Sequence, residues 1–201
     1  MLDFNRVSFR YSATQPHWLL KDFSHQFTDA ITLISGANGS GKTTLLLLAA
    51  GLLAAADGEI RYNNVAVDDI SAKPQIGISA AKVVLLPFFT AAELLNFHCN
   101  MFNCALDEKW LEHFGLTPFL HTKVSDLSLG NAKKLSLITA IVHQPTLLLL
   151  DEPFNGLDEH SRAALSELLQ QFTGQILIAS HEPLTISGRE ITHLPVNALI
   201  R

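Results

Sequence analysis

At 201 residues, 48% of them hydrophobic and 16% charged, the chain can bury one sizeable core and is too apolar in make-up to be a disordered segment. A formal net charge of −5 gives no broad electrostatic pull on a polyanion, so no nucleic-acid partner is expected. Two cysteines are too few for a disulfide framework, the apolar run ending at Ala56 is too short for a bilayer span, and MLDFNRVSFR lacks the order of a secretion signal, which together suit a cytoplasmic product.

Taken in chain order, Leu2–Phe9 and Leu20–Phe27 read as strands that, with GEIRYNN at 58–64, make a small antiparallel β portion. Between them ITLIS, Ile31–Ser35, reads as a short buried strand, and it runs directly into GANGSGKTT, residues 36–44. Gly36, Gly39 and Gly41 allow the backbone to curl until successive N–H groups point into one concavity that a polyphosphate can fill. Lys42 supplies a positive charge for the β and γ phosphates, and the Thr43 hydroxyl suits Mg²⁺. TTLLLLAAGLL then reads as a helix whose N-terminal dipole favours the same anion. The whole loop, including Ala37, Asn38, Ser40 and Thr44, is the expected triphosphate-binding set.

Further along, Val83–Leu86 reads as a buried strand of a parallel sheet, and residues from about 90 to 127 as a helical insertion with AAELLNFHCNMF and DEKWLEHFG as its clearest helices. Cys99 and Cys104 sit near His98 and His113, but no second compact pair of ligands follows, so ordinary helix packing is the better reading than zinc. TLLLLDEPFNGLD at 146–158 is an apolar strand ending in two consecutive carboxylates. Open α/β sheets bind ligands at the carboxyl ends of their strands, which places Asp151 to help hold Mg²⁺ and Glu152 to polarise an attacking water. Ile176–Ala179 reads as another buried strand and Ile191–Leu194 as an edge strand.

With these motifs in this order the chain resembles the ATP-binding cassette family, the ATPase subunits of ABC transporters, over essentially its whole length. LSLGNAKK, 127–134, looks like the family signature, NGLD at 155–158 like its D-loop, and ILIASH at 176–181 ends in the histidine of its H-loop, His181. The fold implied is α/β, a P-loop NTPase core with a mostly parallel sheet, a small antiparallel portion and a helical signature subdomain, in a single domain over 1–201. The resemblance implies that Tyr11 stacks on adenine, although it also suits a strand aromatic packed in the small sheet. It implies that Ser128 and the N–H of Gly130 reach a γ phosphate held by a second cassette, a role compatible with Ser128 capping its own helix. It implies that His181 contacts the γ phosphate and Glu152.

Two positions depart from the family pattern: Leu129 stands where the signature usually has glycine, and Ala81 stands where alignment of residues 76–95 places the Q-loop glutamine. The expectation is an ATP-binding, ATP-hydrolysing, Mg²⁺-dependent subunit that pairs with a second cassette and with separate transmembrane subunits on the inner face of the membrane. A slowly hydrolysing regulatory cassette and a soluble non-transport ATPase are the alternatives. HEPLTI after the H-loop resembles the small ATPase of the cytochrome c maturation heme exporter.

Overall fold

A computed structural model describes residues 1–12 and 17–199. Two sheets share the molecule. Strands β1 (Leu2–Phe9), β2 (Leu20–Phe27), β4 (Asp57–Tyr62) and β5 (Val65–Ala66) form an antiparallel sheet in the order β2-β1-β4-β5. Asn63 and Asn64, with φ of 49° and 67°, make the two-residue turn between β4 and β5, the left-handed pair that a tight hairpin requires. Strands β3 (Ile31–Ser35), β6 (Ile76–Ser79), β7 (Leu147–Asp151), β8 (Gln175–Ser180) and β9 (Thr192–Pro195) form the second sheet in the order β6-β7-β8-β3-β9, every adjacent pair parallel.

The parallel sheet is covered on both faces, which explains why its strands are continuously apolar rather than alternating. Leu147 and Leu149 face one core, shared with Phe4, Phe27 and helix α1 (Lys42–Ala49). Leu148 and Leu150 face another, filled by α2 (Ala91–Phe102), α3 (Glu108–His113), α4 (Leu129–Ile141) and α5 (Glu159–Gln171). All four leucines are at most 1% exposed, so each contributes about 1.5 to 3 kcal/mol of burial. Helix α1 lies between the two sheets and is buried nearly all round, as its run of four leucines requires. Beyond its last turn Lys73 Nζ donates to the carbonyls of Ala50 (3.0 Å), Gly51 (3.1 Å) and Val67 (2.8 Å).

One expected strand is displaced. The sheet takes Ile76–Ser79, not Val83–Leu86, which is irregular and leaves Val84 80% exposed. The reason lies in Gly77: a Cβ there would stand 1.9 Å from the Ala140 carbonyl oxygen, so only glycine lets β6 lie against α4. The helical stretch of 90–127 holds α2, α3 and short 3-10 turns, and α2 opens on a reciprocal cap between Thr90 and Glu93. The expected edge strand is β9, with the four-residue helix α6 (Val196–Leu199) after it.

Candidate functional site

The carboxyl ends of β3 and β7 and the N-terminus of α1 converge on one cavity of about 330 Å³. Its floor is the loop from Asn38 to Thr44, where Gly41 caps α1 with φ 98°, a left-handed conformation that a side chain would strain. Lys42 is only 6% exposed, and its ammonium donates to the carbonyls of Gly36 (2.7 Å) and Ala37 (3.2 Å). The charge is thus held at the centre of the curled loop. Among the described residues the buried Ser40 Oγ has no hydrogen-bond partner, an unusual state for a hydroxyl and one that a bound phosphate oxygen would relieve.

The β7 carboxylates face this loop with different surroundings. Asp151 is buried and its Oδ2 accepts from the Thr43 hydroxyl at 2.8 Å. Burial pushes its carboxyl above the ordinary value, while Thr43 and Lys133 work in the opposite direction. A desolvated carboxylate beside a hydroxyl, both oxygen donors, fits a hard divalent cation such as Mg²⁺. Glu152, one residue on, sits at φ 43°, a conformation few non-glycine residues adopt. This turn carries its Oε1 to 4.0 Å from Lys42 Nζ and 2.8 Å from His181 Nδ1. The His181 backbone N–H also donates to Oε1 at 3.0 Å, and the Ser180 hydroxyl to Oε2 at 3.1 Å. Both carboxylate oxygens are thereby fixed, at the end of neighbouring strands β7 and β8.

The signature segment lies elsewhere. Ser128 caps α4, accepting from Asn131 N at 3.2 Å, and neither it nor Gly130 lines the cavity. Leu129 beside them is 91% exposed. What α4 does contribute is two lysines from its second turn. Lys133 donates to the Asp151 carbonyl at 2.9 Å, its ammonium driven down in pKa first by burial. Lys134 donates to Asp158 Oδ2 at 2.7 Å, and Asp158 in turn caps α5 by accepting from Ser161 N at 2.8 Å. The helix that follows the signature is therefore tied to both ends of the turn carrying Glu152.

Tyr11 reaches the cavity wall, with its hydroxyl bonded to Thr44 Oγ1 and its ring edge-on to Phe9 at 5.1 Å. Ala81 does not line the cavity; its neighbour Lys82 does. Lys82, Ser180, Lys133 and Lys134 are the polar groups that motif reading passed over. For Lys82 the available signal was a single charge in the otherwise apolar run from 80 to 89, just past a strand end. Away from the cavity, His98 Nε2 pairs with His143 Nδ1 at 3.0 Å, and His113 stands 3.7 Å from Glu167. Among the described residues no group of three or more His, Cys, Asp or Glu is placed to hold a metal ion by itself. A larger cavity of about 810 Å³, lined among others by Asp29, Tyr62, Pro145, Thr146 and Gly174, lies at the opposite ends of the strands.

Known proteins agree with this geometry. The sequence profile of the ABC transporter family matches residues 20–155. The uncharacterized ABC transporter ATP-binding protein YdbJ of Bacillus subtilis (strain 168) is 36% identical over 155 residues, 73% of this chain and 50% of YdbJ. The cytochrome c biogenesis ATP-binding export protein CcmA of Rickettsia bellii (strain RML369-C) is 34% identical over 200 residues, 96% of this chain and 100% of CcmA. The chain thus spans about half the length of YdbJ and of the similar B. subtilis protein YhaQ, of which 52% is covered, but the full length of CcmA. Among solved structures, the ATP binding subunit of an ABC transporter superposes with a TM-score of 0.78 at 25% identity, covering 90% of this chain and 79% of that one. The dimeric bacterial ABC transporter cassette MJ0796 gives 0.79 at 22% identity, covering 98% and 95%, and speaks for the fold. The phosphate loop on β3, the paired carboxylates on β7 and a family match over most of the sequence make this chain a member of the ABC transporter family, carrying its ATP-binding domain.

Proposed function

We propose that the chain binds and hydrolyses ATP to drive a transporter whose membrane-spanning subunits are separate polypeptides, working at the cytoplasmic face as one nucleotide-binding domain. The observation that carries this reading is the convergence of Lys42, Thr43, Asp151 and Glu152 on one cavity from segments far apart in sequence. In this reading the loop N–H groups and Lys42 hold the phosphates. Thr43 and Asp151 would hold Mg²⁺, which would supply charge neutralisation at the phosphates. Glu152, oriented by His181 and Ser180, takes the proton of the attacking water. Tyr11 moves off Thr44 to lie against the adenine. Among the described residues no helix is long and apolar enough to cross a membrane, which suits a division of labour with transmembrane partners.

A second cassette belongs to this reading because Ser128 and Gly130 lie outside the cavity of their own chain. Helix N-termini suit phosphate, and a facing copy would present that of α4 to the γ phosphate. For cargo, the full-length match to CcmA together with HEPLTI at 181–186 favours an export cassette of the cytochrome c biogenesis kind. Co-purification of this chain with its membrane partner and identification of that partner tests the cargo class.

ATP titration of wild type and Lys42→Ala tests the site itself. The variant is expected to fold, by circular dichroism, and to lose tight ATP binding, since no other basic residue of the loop can replace the charge. Equal affinity in the two proteins would remove the nucleotide assignment.

A further inference from the structure

Lys82 is exposed at its own position in the loop after β6, yet its ammonium reaches into the phosphate-loop cavity. Nζ stands 3.2 Å from the Tyr11 hydroxyl and 5.1 Å from the centre of the Tyr11 ring, and that hydroxyl is itself bonded to Thr44 Oγ1. Ammonium, phenol and threonine hydroxyl make a chain of three polar heads along one wall. Of the charged side chains lining the cavity, Lys42 and Lys82 are balanced by Asp151 and Glu152. Without Lys82 the cavity would present a net negative lining to a ligand that is itself a polyanion.

We propose that Lys82 is a second phosphate-binding lysine, closing on the nucleotide from the open side of the cavity while Lys42 holds it from the floor. This inference rests on the reading of the cavity as a nucleotide site. The two lysines differ in a way that sorts their roles. Lys42 is buried at the loop centre and 4.0 Å from Glu152, at the end where hydrolysis would take place. Lys82 is joined through Tyr11 to Thr44, one residue deeper in α1 than Thr43 and its partner Asp151. Its charge therefore serves the inner part of the phosphate chain, which ATP and ADP share, and not the terminal phosphate. When Tyr11 leaves Thr44 to meet the base, the ammonium is released from the phenol and the Thr44 hydroxyl is freed beside it. Both then face the incoming phosphate oxygens. A lysine that does this substitutes in part for a divalent cation, so its effect is greatest when no Mg²⁺ is bound.

The experiment is calorimetric titration of ATP and of ADP into wild type, Lys82→Met, Lys82→Arg and Lys42→Ala, in EDTA and in Mg²⁺, at low and high salt. Lys82→Met keeps the apolar stem and removes only the charge. It is expected to weaken ATP and ADP alike by about fivefold to tenfold in EDTA at low salt, the size expected of one solvent-accessible charge contact. The gap should narrow in Mg²⁺ and at high salt, while Lys82→Arg stays within about twofold of wild type. Equal affinities for wild type and Lys82→Met in EDTA at low salt would overturn the proposal while Lys42→Ala still tests the site. A loss that is the same at every salt concentration would overturn it too, because it would report packing against the Tyr11 ring and not charge. Absence of ATP binding by the wild type would remove the nucleotide reading and this inference together.

Discussion

The Thr43 hydroxyl donates to Asp151 Oδ2 at 2.8 Å across 108 residues of sequence, joining the first turn of α1 to the carboxyl end of β7. Two oxygen donors so placed suit a hard divalent cation. In the proposed function these two oxygens would hold Mg²⁺, which would supply charge neutralisation at the phosphates. Thr43→Val keeps the shape of the side chain and removes the donor oxygen. It is expected to bind ATP in EDTA as the wild type does, and to lose roughly tenfold of the extra affinity that Mg²⁺ confers. Titrations with and without Mg²⁺ check this.

The link from α4 to α5 predicts a stability effect remote from the cavity. Asp158 both caps α5 and pairs with Lys134, and the Lys134 hydrogen bond holds its carboxyl well below its ordinary value of 3.8. A carboxylate depressed in the folded state stabilises above the unfolded pKa, and that contribution fades as pH falls through the lower folded value. Asp158→Ala should therefore cost about 1 kcal/mol at pH 7, mostly through the lost cap, because the pair itself is more than half exposed on the aspartate side. The difference from wild type should shrink below pH 3.8, as urea unfolding at a series of pH values would show.

His98 acts with the same sign in a higher pH window. Burial, aided by the neighbouring His143, lowers its pKa from 6.5 to about 4, so the unfolded chain binds the proton first. Stability should fall as pH drops through the window from 6.5 to about 4, by at most about 3 kcal/mol from this group. His98→Phe keeps a ring beside Phe102 and removes the titration. Its melting temperature should depend less on pH across that window than that of the wild type.

Most of the cavity was legible because its residues belong to contiguous motifs. The glycine loop, Lys42, Thr43 and the Asp151–Glu152 pair each stand beside an apolar run that marks the adjoining strand, so naming the strand end also placed the charge. The alternation of Leu147 to Leu150 between two cores was likewise implied by an unbroken leucine run. Legibility failed between residues 76 and 90. Apolar content favoured Val83–Leu86, and Gly77 weakened the case for the true strand, whereas a close approach to the Ala140 carbonyl is what demands that glycine. The family pattern directs attention to Ala81, whereas its neighbour Lys82 is the residue that lines the cavity, and nothing local to the loop marks it. Ser180, Lys133 and Lys134 were hidden for another reason. Lys133 and Lys134 act on the Asp151–Asp158 turn from α4 and Ser180 acts from β8, and contacts across 18 to 28 residues leave no spacing pattern.

Steady-state phosphate release at saturating Mg-ATP by wild type and Glu152→Gln tests the central claim most directly. The amide preserves the size of the side chain and loses the capacity to accept a proton. Glu152 is held by His181 and Ser180 at φ 43° beside Lys42, an arrangement that fits the proposed general base. The account predicts release by the wild type and a rate lower by at least about a hundredfold in Glu152→Gln, with ATP binding unchanged. Equal rates in the two proteins, or no release by a wild type that binds ATP in the presence of its membrane partners, would contradict it.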